Sequence, residues 1–226
     1  IPASDQGSNA KARINMLVSS GDGSGRLFVP DLRGQLYVIR DATPSIYVDL
    51  SVELANFIDS PGLGTGLTSV AFHPEFETNG VFYTAHSDAP ASGAADFAGP
   101  TQPRVGVQGV VLEWTADDPT ADVFAGTRRE LMRIDIIGTK HGLQDMKFNP
   151  TALPEEPDYG ILYMSVADGF SVEEGYPDNA YRLDSVLGTI LRIDPAGNNS
   201  ANGNYGIPED NPFANDDDDG TIAEIY

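Results

Sequence analysis

Short apolar runs alternate with polar turns from one end of the chain to the other. β-Prone runs at 14–19, 27–30 and 35–39 are cut by Gly21-Asp22-Gly23-Ser24-Gly25 and by Arg33-Gly34. The same grammar continues at 46–50, 67–73, 81–86 and 107–114, and again at 131–136, 144–148, 161–166 and 190–193. Runs of this length, separated by Gly, Asp, Asn and Pro, predict an all-β fold. Only 51–58 has room for a helical turn or two. The glycines at 21–25 join two apolar runs and read as a hairpin turn.

A weak repeat underlies this pattern. Val70-Ala71-Phe72-His73-Pro74 is followed by Asn79-Gly80-Val81-Phe82-Tyr83-Thr84, and Met146-Lys147-Phe148-Asn149-Pro150 by Tyr159-Gly160-Ile161-Leu162-Tyr163-Met164. Each unit reads strand, Pro turn, Gly turn, strand with an aromatic. Gly25 to Val29 offers the second half of one more unit. Repeated hairpins of this kind predict a β-propeller, with a β-sandwich as the alternative. The spacing between units exceeds an ordinary blade of ~40–50 residues, so inserted loops are expected at 89–103 and 154–158. The final Ala223-Glu224-Ile225-Tyr226 reads as the start of a further strand.

Charge narrows the partners. The 226 residues carry 34 acidic and 13 basic side chains, a formal net charge of −21. Nucleic acid and anionic membrane surfaces need a basic face, so both are excluded as partners. The acidity keeps the protein soluble and also suits salty water, where screening relieves self-repulsion. No apolar run approaches the ~20 residues of a membrane-spanning helix. The absence of cysteine excludes disulfides, thiolate metal sites and cysteine nucleophiles. The chain begins Ile1-Pro2, as it would after removal of a secretory leader, and Asn198-Asn199-Ser200 matches a glycosylation triplet.

Three histidines carry most of the candidate chemistry. His73, between Phe72 and Pro74, reads as a structural residue capping a turn. His86 closes a strand, where it caps the strand end or faces a channel mouth. His141 sits in the polar turn Gly138-Thr139-Lys140-His141-Gly142, just before an alternating strand. A neutral imidazole there can act as a general base near pH 7, or it is simply an exposed loop residue. Asp168 follows a buried run directly and is either a polar site residue or an Asx-turn residue. The run Asn215 to Gly220 is rich in calcium-type oxygen donors, but it lacks EF-hand spacing and reads as a solvated acidic run. No dinucleotide fingerprint, P-loop, nucleophile elbow or His-Glu-x-x-His is present.

Four blocks together resemble one family, the soluble quinoprotein glucose/sorbosone dehydrogenases. They are Gly66 to Phe76 with Asn79 to Tyr83; His141 to Pro150 with Gly160 to Tyr163 and Ala167-Asp168-Gly169; Leu187 to Pro195; and Tyr205 to Phe213, leading to Glu224-Ile225-Tyr226. The resemblance implies a six-bladed β-propeller, of which this chain forms about the first half across 1–226. The remaining half is then a partner or a continuation. It also implies pyrroloquinoline quinone (PQQ) and calcium as cofactors. His141 becomes the base for a sugar's anomeric hydroxyl, and Asp168 a residue behind that base or on the substrate side. The other expected partners are a sugar substrate and an electron acceptor, either a mediator or a carrier protein, in the periplasm or outside the cell. Three departures bear on the cofactor and the substrate: Gly64 stands where many members have a glutamine reaching PQQ, Gly142-Leu143 follows His141 where the family's base is often followed by paired glycines, and Lys140 stands where sugar-oxidising members can have an acid. Two other functions fit the same scaffold, a non-catalytic binding propeller and a calcium-dependent lactonase without quinone.

Overall fold

The computed structural model describes residues 12–61, 64–99, 104–216 and 220–226. They form three antiparallel sheets. The first contains β1 (Val18–Ser19), β2 (Leu27–Pro30), β3 (Gln35–Arg40) and β4 (Thr43–Asp49), followed by a one-turn helix, α1 (Leu50–Glu53). The second contains β5 (Ser69–Phe72), β6 (Val81–Asp88), β7 (Val107–Ala116) and β8 (Gly126–Ile136), with a short helix, α2 (Phe76–Asn79), between its first two strands. The third contains β9 (Leu143–Phe148), β10 (Leu162–Val166) and β11 (Thr189–Ile193). Neighbouring strands in every sheet are consecutive in the chain, so each sheet is an up-and-down meander. All-β architecture is thereby observed. The repeat noted above corresponds to β5–β6 and β9–β10, the first hairpins of the second and third sheets.

The three opening strands lie side by side, β1 against β5 and β5 against β9. Asn15 Nδ2 donates to the Thr68 carbonyl (2.6 Å), and the Met146 N–H donates to Ser69 Oγ (3.1 Å). Ladder groups at the head of each inner strand are therefore tied to the next sheet. The expected strand at 14–19 is shorter than predicted for this reason. Its first residues are spent on a bridge from Ile14 to Asp31 and on the contact with Thr68, leaving Val18 and Ser19 to pair with Phe28 and Leu27.

Two cores fill the seams between sheets. Phe28, Tyr47, Leu67, Phe82 and Trp114 belong to the seam between the first and second sheets; Tyr83, Met132, Ile134, Met146 and Leu191 belong to that between the second and third. Consecutive residues such as Phe82 and Tyr83 thus enter opposite cores. A sheet covered on both faces needs near-continuous apolar strands, which is why β6 and β7 do not alternate. Trp114 is fully buried, stacks on Phe82 at 5.9 Å, and donates its indole N–H to Thr84 Oγ1 (2.8 Å). An aromatic of this size gains burial energy only because its one polar atom finds a partner. On the outer side of the third sheet, the Arg192 N–H donates to the Glu224 carbonyl and the Tyr226 N–H to the Ile190 carbonyl. The final residues therefore add to the edge of β11, as their sequence suggested.

Candidate active site

His141 lies in the connection from β8 to β9, and Asp168 lies just beyond β10. Three backbone bonds hold the two loops together. Ala167 N–H donates to the Gly142 carbonyl (3.0 Å), Gly169 N–H to the His141 carbonyl (2.7 Å), and Gly138 N–H to the Gly169 carbonyl (2.9 Å). Gly138 has to be glycine, because a Cβ there would sit 2.6 Å from the Cβ of Phe170. His141 itself adopts φ = 57°, a left-handed conformation that a non-glycine residue holds at an energetic cost.

The consequence of this clamp is a hydrogen-bonded pair. His141 Nδ1 stands 2.9 Å from Asp168 Oδ1. A carboxylate only accepts, so Nδ1 carries the proton and donates it. In the neutral ring the lone pair is then on Nε2, which makes no hydrogen bond among the described residues. The His141 side chain is half exposed and that of Asp168 about a fifth. An imidazole held in one tautomer, with its basic nitrogen open to a ligand, can remove a proton. Asp168 also receives the Phe170 N–H at 3.4 Å, so its Asx-turn role and its role beside His141 coexist.

Other side chains crowd the mouth. Phe170 sets its ring edge toward His141 (5.7 Å between centroids), and Lys140 Nζ lies over the Phe170 ring at 5.2 Å. Buried Thr65 donates to the Thr139 carbonyl (2.7 Å), which brings residues 64–66 against the His141 loop. A Cβ on Gly64 would lie 3.4 Å from Lys140 Cα and 3.5 Å from the His141 nitrogen. Gly64 therefore abuts the backbone of Lys140 and His141. Glu173, a residue the sequence pattern does not single out, completes the cluster. One ligand atom from each of His141, Asp168 and Glu173 lies within 4.8 Å of the others. Glu173 arrives by the folding of the loop 168–176, for which hydrophobic periodicity gives no signal.

The other histidines serve the fold. His73 Nδ1 accepts the Glu75 N–H (3.0 Å) and faces Asn79 Nδ2 (2.9 Å), which caps the turn before α2. His86 is buried against Phe57, with Nε2 3.3 Å from Asp88 Oδ1. Most of the acidic run, residues 217–219, lies outside the described residues. A cleft of about 330 Å³ opens at the far ends of the inner strands, lined by Ser20, Phe72, His73, Phe148 and Pro150. It is separated from His141 by the length of β9, roughly 20 Å for six residues, so its shape says nothing about the dyad.

The architecture and the dyad define a class: meandering sheets set side by side, with a polar site on the loops that lead into the inner strands. Residues 16–226 match the model of the family described as Glucose / Sorbosone dehydrogenase. The chain belongs to this family. Its fold is similar to that of a putative oxidoreductase (glucose dehydrogenase) from Thermus thermophilus, with a TM-score of 0.62 at 20% identity, covering 90% of this chain and 47% of that one. A second solved glucose dehydrogenase gives 0.60 at 16% identity, covering 94% and 49%. Among curated relatives, the HIPL1 protein of Arabidopsis thaliana is 28% identical over 243 residues, 90% of this chain and 33% of that protein. The Hedgehog-interacting protein of Mus musculus is 27% identical over 206 residues, 88% of this chain and 26% of that protein. The chain thus spans about half of the solved structures it resembles and a third or less of these curated relatives.

Proposed function

We propose that the protein contributes to a PQQ- and calcium-dependent oxidoreductase acting on an aldose or a related aldehyde or alcohol, within a six-bladed propeller. The observation that carries this reading is the His141–Asp168 pair, in a family that bears the name of such dehydrogenases. His141 is the catalytic base: Nε2 takes the proton of the anomeric hydroxyl as C1 is oxidised. Asp168 is the positioning residue: it keeps the proton on Nδ1 and stabilises the imidazolium that forms. PQQ with calcium supplies the two-electron acceptor.

The donor set fits this chemistry on the proton side only. PQQ is a polycarboxylate and calls for cations around it. Lys140 is engaged over Phe170, Arg104 pairs with Glu174, and Asp168 and Glu173 add negative charge. In this reading the groups that hold the quinone and its calcium come from outside the described residues, with the rest of the propeller. A periplasmic or extracellular site and a mediator or carrier protein as electron acceptor belong to the same proposal. Among the described residues no helix is long and apolar enough to cross a membrane.

The relatives named for Hedgehog interaction favour a second reading, a binding propeller without redox chemistry. One experiment separates the two. The protein is titrated with PQQ in excess calcium, and the quinone absorbance is followed on addition of glucose and then of other aldoses. Saturable binding with bleaching by one of them supports the dehydrogenase. No binding at any calcium concentration, in a preparation that contains the complete propeller, removes that reading and leaves the binding propeller.

A further inference from the structure

The mouth of the site is built for a cation. We propose that His141, Asp168 and Glu173 bind a divalent transition-metal ion, distinct from any calcium that accompanies a quinone, and that this ion occludes the site. The inference concerns regulation of the site described above, and the metal-binding part stands whether or not the protein oxidises sugars.

Three observations converge on these residues. First, the donors are one imidazole nitrogen and two carboxylate oxygens, all within 4.8 Å of one another. Bonds of about 2.1 Å in a tetrahedral shell need donors roughly 3.4 Å apart. His141 and Asp168 already stand 2.9 Å apart, and the widest separation has to close by up to about 1.4 Å, within reach of the exposed Glu173 and the half-exposed His141. Second, the backbone beneath them is fixed. The two loops are joined by the three bonds given above, and the Glu173 loop is closed by Ser171 N–H to the Asp168 carbonyl (3.0 Å), Tyr176 N–H to the Ser171 carbonyl (2.7 Å) and Glu174 N–H to the Phe170 carbonyl (3.2 Å). Third, the cations beside the cluster are committed elsewhere, Lys140 over Phe170 and Arg104 with Glu174, so the two carboxylates face the mouth with their charge uncompensated by them.

The donor set also selects the ion. Calcium and magnesium prefer six or more oxygens, whereas an imidazole with two carboxylates suits zinc, cobalt or manganese. Three protein ligands leave at least one position open to water or a substrate oxygen. An ion shared by His141 and Asp168 takes the place of the proton on Nδ1, so the ring carries its remaining proton on Nε2 and has no lone pair there for proton abstraction; the ion acts as a brake on the base.

The test uses Co²⁺ alone on the full chain stripped by chelator, read by the visible d–d bands of bound cobalt and by equilibrium dialysis. One ion per chain is expected, with affinity lowered at least tenfold in Glu173→Gln and the spectrum altered or lost in His141→Gln. Glu173 is exposed, so its substitution leaves folding intact, and circular dichroism checks this. No stoichiometric binding, or equal binding in wild type and both variants, overturns the proposal; the latter result would assign the cobalt to acidic residues elsewhere. Competence for sugar oxidation is scored separately by PQQ bleaching without cobalt, so loss of the dehydrogenase reading leaves the metal result standing. Where oxidation is observed, cobalt should suppress it in wild type at the concentration that fills the site.

Discussion

The molecule contains two histidine–aspartate pairs, and they differ in what surrounds them. His86 and Asp88 lie in the seam between the first two sheets, both nearly inaccessible to solvent. Arg133 Nη1 donates to the other oxygen of Asp88 (3.0 Å) and to Gln108 Oε1 (3.1 Å), while Nε and Nη2 donate to Glu130 (2.9 and 2.7 Å). Burial works against charge on Asp88, but hydrogen bonds from His86 and Arg133 keep its carboxyl below the usual range. The free nitrogen of His86, Nδ1, is sealed without a partner. In the other pair, His141 is half exposed, and among the described residues no arginine pairs with Asp168 and nothing hydrogen-bonds the free nitrogen. The same two residue types thus make an enclosed joint in one place and, in the other, a pair with one ring nitrogen left open.

The largest expected effect breaks the two apart. In the dehydrogenase reading, His141→Ala should lower turnover by about 10²–10⁴-fold, the usual contribution of a general base, with the thermal midpoint unchanged. Asp168→Asn should cost a similar order, because an amide nitrogen donating to Nδ1 moves the ring proton onto Nε2 and blocks it. His86→Ala should do the reverse: it loses about 2–3 kcal/mol of stability while each folded molecule keeps its turnover. Steady-state kinetics with thermal unfolding on the same samples decide the matter. A His141 variant with wild-type turnover would remove the base assignment.

Arg133→Met gives the next largest change. It leaves Asp88 buried without its guanidinium partner, and breaking a buried ion pair by removing one partner typically costs about 3–5 kcal/mol. The exposed pair Arg40–Asp122 (2.6 Å) is the control. Screened by solvent, it should contribute far less than the buried pair when Arg40 is replaced by Met. Denaturant unfolding of both variants measures the difference. Equal midpoints would show that the seam network adds nothing beyond its packing.

Burial also governs how much of the molecule is legible in the sequence. The run 27–30 coincides with β2 to the residue, because a glycine turn precedes it and Asp31 ends it. The run 131–136 is only half of a strand. β8 begins at Gly126, and its first residues, Thr-Arg-Arg-Glu, are polar because they lie at a solvated edge. Pairing with β7 makes them a strand, helped by Glu113 gripping Arg129 (2.6 and 2.9 Å), and no local pattern announces that. The helix α2 escapes the pattern because four residues ended by Gly80 at φ = 66° show no period. At the site, His141 and Asp168 can be picked out, since each follows or precedes a clear apolar run. Their contact across 27 residues and the arrival of Glu173 depend on how two loops close on each other.

His73 carries the smallest predicted effect and extends the comparison to a third histidine, one that is half-buried with no carboxylate bound to it among the described residues. With Nδ1 accepting the Glu75 N–H, the neutral ring keeps its proton on Nε2. Burial pushes the pKa of His73 below its ordinary 6.5, outweighing the nearby charges of Glu75 and Glu113, which act to raise it. The unfolded chain therefore binds this proton at a pH where the folded protein refuses it. Where the unfolded state binds more protons, stability rises with pH. The contribution of His73 is thus fully present above about pH 6.5 and is lost as the pH falls from there through the lower folded value. His73→Asn retains an oxygen for the Glu75 N–H but cannot titrate, so it should flatten the fall in thermal midpoint between roughly pH 7 and pH 5. A variant that loses stability over that interval as steeply as wild type would transfer the acid sensitivity to other groups. A flattened curve would show that enclosure alone, without an acidic partner, sets the charge of a histidine in this fold.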